Sequence, residues 1–125
     1  MNLNQVTIPA ADVGRAAAFY SKLGLQIIVK ALPHYVRFEC PEGEATFSIQ
    51  EAQGPIRGKG VKVYFECEDL DTKVQQLLEQ GIVFDSLPED KRWLWREAHL
   101  YDPDNNEIVL YFAGQNRRNP PWRIN

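Results

Sequence analysis

Apolar and polar positions alternate with a period of two over residues 3–9. Val6 and Ile8 fall on one side and Gln5 and Thr7 on the other, which predicts a half-buried strand. The period then lengthens. Val13, Ala16, Ala17, Tyr20 and Leu23 recur at helical spacing between Asp12, a capping residue, and Gly24, a stop, so a helix is expected over 13–23. Strand patterns follow at 25–29, 35–40 and 45–50, the last two joined by the turn residues Pro41-Glu42-Gly43-Glu44. The order then restarts. A strand is expected at 61–67 and a helix carries Leu70, Val74, Leu77 and Leu78 between Asp69 and Gly81. Further strands are expected at 82–85, 93–101 and 107–112, with a hairpin turn at Asp102-Pro103-Asp104-Asn105-Asn106.

The restart is an internal repeat. An offset of 57 residues places Asp12 on Asp69, Gly24 on Gly81, Val6 on Val63, Ile8 on Phe65 and Ile27 on Phe84. Two βαβββ modules are expected in one domain of 125 residues, at about 2–51 and 60–113, with a linker at 52–59 containing Gly54, Pro55 and Gly58. A copy that cannot bury its apolar face alone needs its twin. A cleft between the copies is the expected place for a ligand. The tail from 114 to 125 holds Pro120 and Pro121 beside Trp122 and is read as an extended arm.

Composition narrows the class of partner. With 44% hydrophobic and 25% charged residues the chain has the make-up of a folded globular domain. A net charge of −3 provides no field for nucleic acid or anionic lipid, so neither is expected as a partner. Asn2, Asn4, Gln5 and Pro9 interrupt the N-terminal stretch, which therefore lacks a signal-peptide pattern, and a cytoplasmic location is expected. Cys40 and Cys67 lie in strand patterns without metal-type spacing and are read as free thiols.

Two motifs carry a family resemblance. Asp12-Val13-Gly14-Arg15-Ala16-Ala17-Ala18-Phe19-Tyr20-Ser21-Lys22-Leu23-Gly24-Leu25 resembles the helix signature of the vicinal oxygen chelate superfamily. That superfamily includes glyoxalase I, bleomycin-resistance proteins and extradiol dioxygenases. The stretch from Tyr101 to Tyr111 is similar to the hairpin closing its second module, with Asn105 where glycine is commoner. The resemblance implies an α+β fold, its two βαβββ modules forming a curved, barrel-like mixed sheet around a central cleft. It also implies a divalent metal held by His and Glu from facing strands. Mapped residue by residue, those ligand positions fall on Gln5, near Ser48, on Lys62 and on Val109. None is a normal ligand, so no metal and no cofactor are expected, and classical glyoxalase I activity is not. A displaced cluster of His99 with Glu97 and Glu107 is the alternative; the plainer reading of His99 is a hydrogen-bonded polar side chain on the inner strand face.

The polar strand faces supply the candidate ligand-binding residues: Gln5, Arg37, Ser48, Lys62, Tyr64, His99 and Tyr101. Aromatic rings interleaved with a few charges suit a ligand cavity, and Arg37 and Lys62 are the candidates for an anionic or carbonyl group. In-sheet ion pairs with Glu39 or Glu66 are the plain alternative for these two cations. Two functions stay open. One is a binding protein that sequesters or senses a small organic ligand. The other is a glyoxalase-like lyase or isomerase, or a dioxygenase-type enzyme, using a displaced metal or Lys62, Tyr64 and His99 as acid/base groups. The resemblance and the open strand edges further imply a homodimer, with the Trp122 arm lying across the partner.

Overall fold

Asp12 ends the first extended segment and starts a helix because its carboxylate Oδ1 accepts the backbone N–H of Arg15 at 3.0 Å. Gly24, with φ of 111°, takes the left-handed conformation that closes that helix. In the computed structural model, which describes residues 1–124, the order is β1 (Gln5–Ala10), α1 (Val13–Leu23), β2 (Gln26–Ala31), β3 (Tyr35–Glu39) and β4 (Thr46–Glu51). It repeats as β5 (Lys62–Glu66), α2 (Leu70–Glu79), β6 (Ser86–Asp90), β7 (Arg96–Tyr101) and β8 (Glu107–Phe112). The fold is α+β, built from two βαβββ modules. Each has a four-stranded mixed sheet, ordered β1-β4-β3-β2 and β5-β8-β7-β6, whose first and last strands pair in parallel. Among the described residues no helix is long and apolar enough to cross a membrane.

The chain divides into two compact units. The first takes Met1–Val61 with Asp102–Asn105, so the turn between β7 and β8 belongs with the first module. Its core is Tyr20 of α1 against Phe38 and Phe47, with Ile8, Val36 and Ile49 fully covered. Each such buried aliphatic or aromatic side chain contributes about 1.5–3 kcal/mol. Tyr20 also donates its hydroxyl to Asp102 at 2.6 Å, and its phenol is pushed far above the ordinary range by burial first and then by the Asp102 carboxylate. The second unit takes Lys62–Tyr101 and the stretch from Asn106 onward. It packs Leu70, Val74 and Leu77 of α2 beneath its own sheet, where Leu100, Ile108 and Leu110 are buried.

Several elements differ from their sequence signals. Asp69 stands at the head of α2, but its side chain makes no capping bond there. The strand expected at 82–85 forms instead at Ser86–Asp90: Ile82 is spent as a buried anchor after the helix, and Pro88 is tolerated because β6 pairs on one side only. The strand expected from 93 starts at Arg96, since Lys91 N–H to Trp95 O (2.7 Å) and a left-handed Leu94 make a turn first. Val6, expected among the apolar set packed on the helix, is 38% exposed. The arm is not extended at its start. Residues Gly114–Arg117 form a 3-10 turn, tied down by Glu66, whose carboxylate accepts the N–H groups of Ala113 and Gly114. Asn125, the end of that expected arm, lies outside the described residues.

Candidate functional site

The polar face of the first sheet carries a hydrogen-bonded chain. Strand pairing places Thr7 beside Ser48 and Ser48 beside Arg37, so β1, β4 and β3 bring their polar side chains together. The Gln5 amide is oriented by its neighbours: Nε2 faces the Val6 carbonyl, which only accepts, while Oε1 meets the Thr46 hydroxyl. Gln5 Nε2 therefore donates to Ser48 Oγ at 2.8 Å. Ser48, with 0% exposure, lies 2.6 Å from the Tyr35 hydroxyl, which in turn accepts from Arg37 Nε at 2.9 Å. Burial pushes the Tyr35 phenol up, but the hydrogen bonds of Ser48 and Arg37 and the guanidinium charge outweigh it. The net shift is downward. Arg37 also sits over the Tyr35 ring, 5.5 Å from its centroid.

The second sheet carries a different chain. Residues 97, 99 and 101 alternate onto one face of β7, and their partners on β8 are Tyr111, Val109 and Glu107. His99 is held on both sides, with Nδ1 2.6 Å from Glu107 Oε2 and Nε2 2.8 Å from Glu97 Oε1. His99 thus bridges the two carboxylates, and Lys62 stands 3.7 Å from the other oxygen of Glu107. Partial burial raises the Glu107 carboxyl, yet His99 and Lys62 together hold it below its ordinary value. Glu97, only 3% exposed, accepts its last bond from Trp93 Nε1 at 2.6 Å. Beside this chain Trp95 stacks on Tyr111 at 4.7 Å, and Tyr64 stands edge-on to both.

The sequence-derived candidates thus fall into separate groups. Gln5 and Ser48 are bonded directly, and Arg37 joins them through Tyr35. Lys62 and His99 meet through Glu107. Tyr64 belongs to the aromatic group, and Tyr101, 47% exposed at the end of β7, joins none of these groups. The two cations also part from the plain ion-pair expectation: Arg37 makes no ion pair with Glu39 among the described residues, and the partner of Lys62 is Glu107 rather than Glu66. Trp93, Trp95 and Tyr35 are absent from the sequence-derived candidates, although alternation puts Tyr35 on the same polar face as Arg37. For Trp95 the signal was available, because extending the alternation of 97, 99 and 101 back by two residues puts it on the same face.

Residues 2–110 match the Glyoxalase/Bleomycin resistance protein/Dioxygenase superfamily, and the chain belongs to that superfamily. Uncharacterized protein YraH of Bacillus subtilis (strain 168) is 30% identical over 89% of this chain and 98% of its own. Among solved structures, a lactoylglutathione lyase from Agrobacterium tumefaciens superposes with a TM-score of 0.76 at 18% identity, over 94% of this chain and 96% of its own. A bleomycin-binding protein complexed with bleomycin superposes with a TM-score of 0.72 at 22% identity, over 90% of this chain and 98% of its own. At such identities the structural likeness speaks for the fold.

The metal that this superfamily typically holds does not fit the residues present. Gln5 and Ser48 are bonded to each other, Lys62 is an ammonium facing Glu107, and Val109 has no donor atom and is fully buried. The displaced alternative does not fit either. Glu97 and Glu107 lie against opposite nitrogens of His99, so the three side chains do not converge on one ion. Among the described residues no group of three or more His, Cys, Asp or Glu side chains is disposed to hold a metal.

Proposed function

We propose that this chain is a small-molecule-binding member of the superfamily that works without the usual metal, sequestering or sensing a small organic ligand on its polar strand faces. The observation that carries this reading is the state of the four mapped ligand positions: each is engaged by a protein partner or lacks a donor. A superfamily fold stripped of its metal chemistry retains its other use, recognition, and the bleomycin-binding structural neighbour is a precedent for that use at the level of fold. Arg37 is the main recognition group, since its terminal nitrogens make no hydrogen bond or ion pair among the described residues. On the second sheet the candidate is Lys62. Its ammonium spends one long 3.7 Å contact on Glu107 and has further donors for a ligand.

A second reading is enzymatic, and the Lys62-Glu107-His99-Glu97 chain favours it as an acid/base array. A metabolite screen by thermal shift on the wild type, Arg37→Met and Lys62→Met separates the two. The binding reading expects a stabilising ligand that is recovered unchanged and whose affinity drops by about 1.5–3 kcal/mol in Lys62→Met, the size of a charge-assisted hydrogen bond. Turnover of that ligand supports the enzyme instead. Equal stabilisation of all three proteins shows that neither cation takes part in recognition.

A further inference from the structure

We propose that Tyr35 and Arg37 form a receptor for an organic carboxylate, with Tyr35 as the residue that selects it. The inference rests on the binding reading above and names the class of ligand. It follows from where the protons go. Ser48 has no exposed surface, and its oxygen already accepts from Gln5, so its own hydrogen has one acceptor within reach, the Tyr35 oxygen at 2.6 Å. Arg37 Nε donates to that same oxygen at 2.9 Å. A hydroxyl oxygen has two lone pairs, and both are now occupied. With Ser48 as the donor, the Tyr35 hydrogen points away from the chain and meets no other protein acceptor among the described residues.

The terminal nitrogens of Arg37 make no hydrogen bond among the described residues either, and Glu39, two residues along the same strand, makes no ion pair with it there. The pair thus presents donors only: a planar fork and a phenolic O–H, fixed beside each other by the 2.9 Å bond. An acceptor-only, planar group with two oxygens matches such a set. A carboxylate meets the requirement, whereas a neutral amide brings its own N–H groups against the donors. The lowered phenol of Tyr35 agrees, because the same two donors would steady its oxygen when the proton is shared with an anion.

The test uses benzoate, its neutral counterpart benzamide, and inorganic phosphate, titrated into the full chain and followed by NMR at residues 35–37. Benzoate is expected to shift these resonances saturably and to bind more tightly than the other two. Arg37→Met should abolish this binding, and Tyr35→Phe should weaken it roughly tenfold or more, as for loss of a hydrogen bond to a charged group. Because Tyr35→Phe orphans the buried Ser48 hydrogen, the double variant Tyr35→Phe with Ser48→Ala is measured alongside and should show the same weakening. Benzamide or phosphate binding at least as tightly as benzoate, or wild-type benzoate affinity in both Tyr35 variants, overturns the proposal. Those outcomes leave the broader binding reading intact, which falls separately if the metabolite screen finds no ligand that depends on Arg37 or Lys62.

Discussion

Glu107 shows how one side chain can settle the character of its surroundings. It stands two residues before the position where the superfamily's last glutamate maps, and instead of facing an ion it holds His99 at 2.6 Å and Lys62 at 3.7 Å. Its folded-state pKa lies below the ordinary 4.5 despite some burial. A depressed carboxylate contributes stability that is present above its unfolded value and is lost as pH falls through the folded one. Acid titration of unfolding should therefore show a loss of stability below about pH 4.5 that is smaller in Glu107→Gln; identical acid profiles would contradict it. Legibility at this scale was mixed. Alternation put His99 on one face with Glu97, to which it is bonded, whereas the pairing of Gln5 with Ser48 joins residues 43 apart and depends on strand register, which a single sequence does not display.

The two helices carry the same sequence signal and end up held differently. Asp12 caps α1 with its carboxylate, whereas Asp69 makes no such bond, so the letter at the cap predicts the helix start but not the contact. What fastens α1 is Tyr20, whose hydroxyl reaches Asp102 in the turn after β7. Tyr20→Phe leaves a buried carboxylate short of a donor and should cost about 1–3 kcal/mol in urea unfolding, without loss of secondary structure. A cost near zero would mean that this bond does not anchor the helix. The strongly periodic elements, α1, β3, β4 and β8, were readable from their patterns. β6 was not, because Ser86, Pro88, Glu89 and Asp90 lack apolar alternation and owe their strand conformation to pairing with β7.

For the molecule as a whole, the 57-residue repeat announced the architecture, since each half had to reproduce the same strand and helix order. The repeat did not disclose what replaces the metal, because that depends on side-chain contacts. The expected homodimer is open to a direct check. Ile28 and Val29 on the outer strand β2 are 46% and 37% exposed, and Trp122 is 57% exposed beyond the anchored 3-10 turn, so edge and arm are both free to meet a second copy. Light scattering should give a dimer for the full chain and a weaker one for a chain ending at Gly114. A monomeric full chain contradicts the dimer, and an unchanged dimer after truncation removes the arm from it.

The central claim is recognition without the superfamily's metal. It is tested most directly by elemental analysis of the purified protein, prepared without chelator. Zinc, nickel, iron and manganese should all be far below stoichiometric, because Gln5, Ser48, Lys62 and Val109 offer no ligand set. About one equivalent of any of these metals per chain would contradict the account.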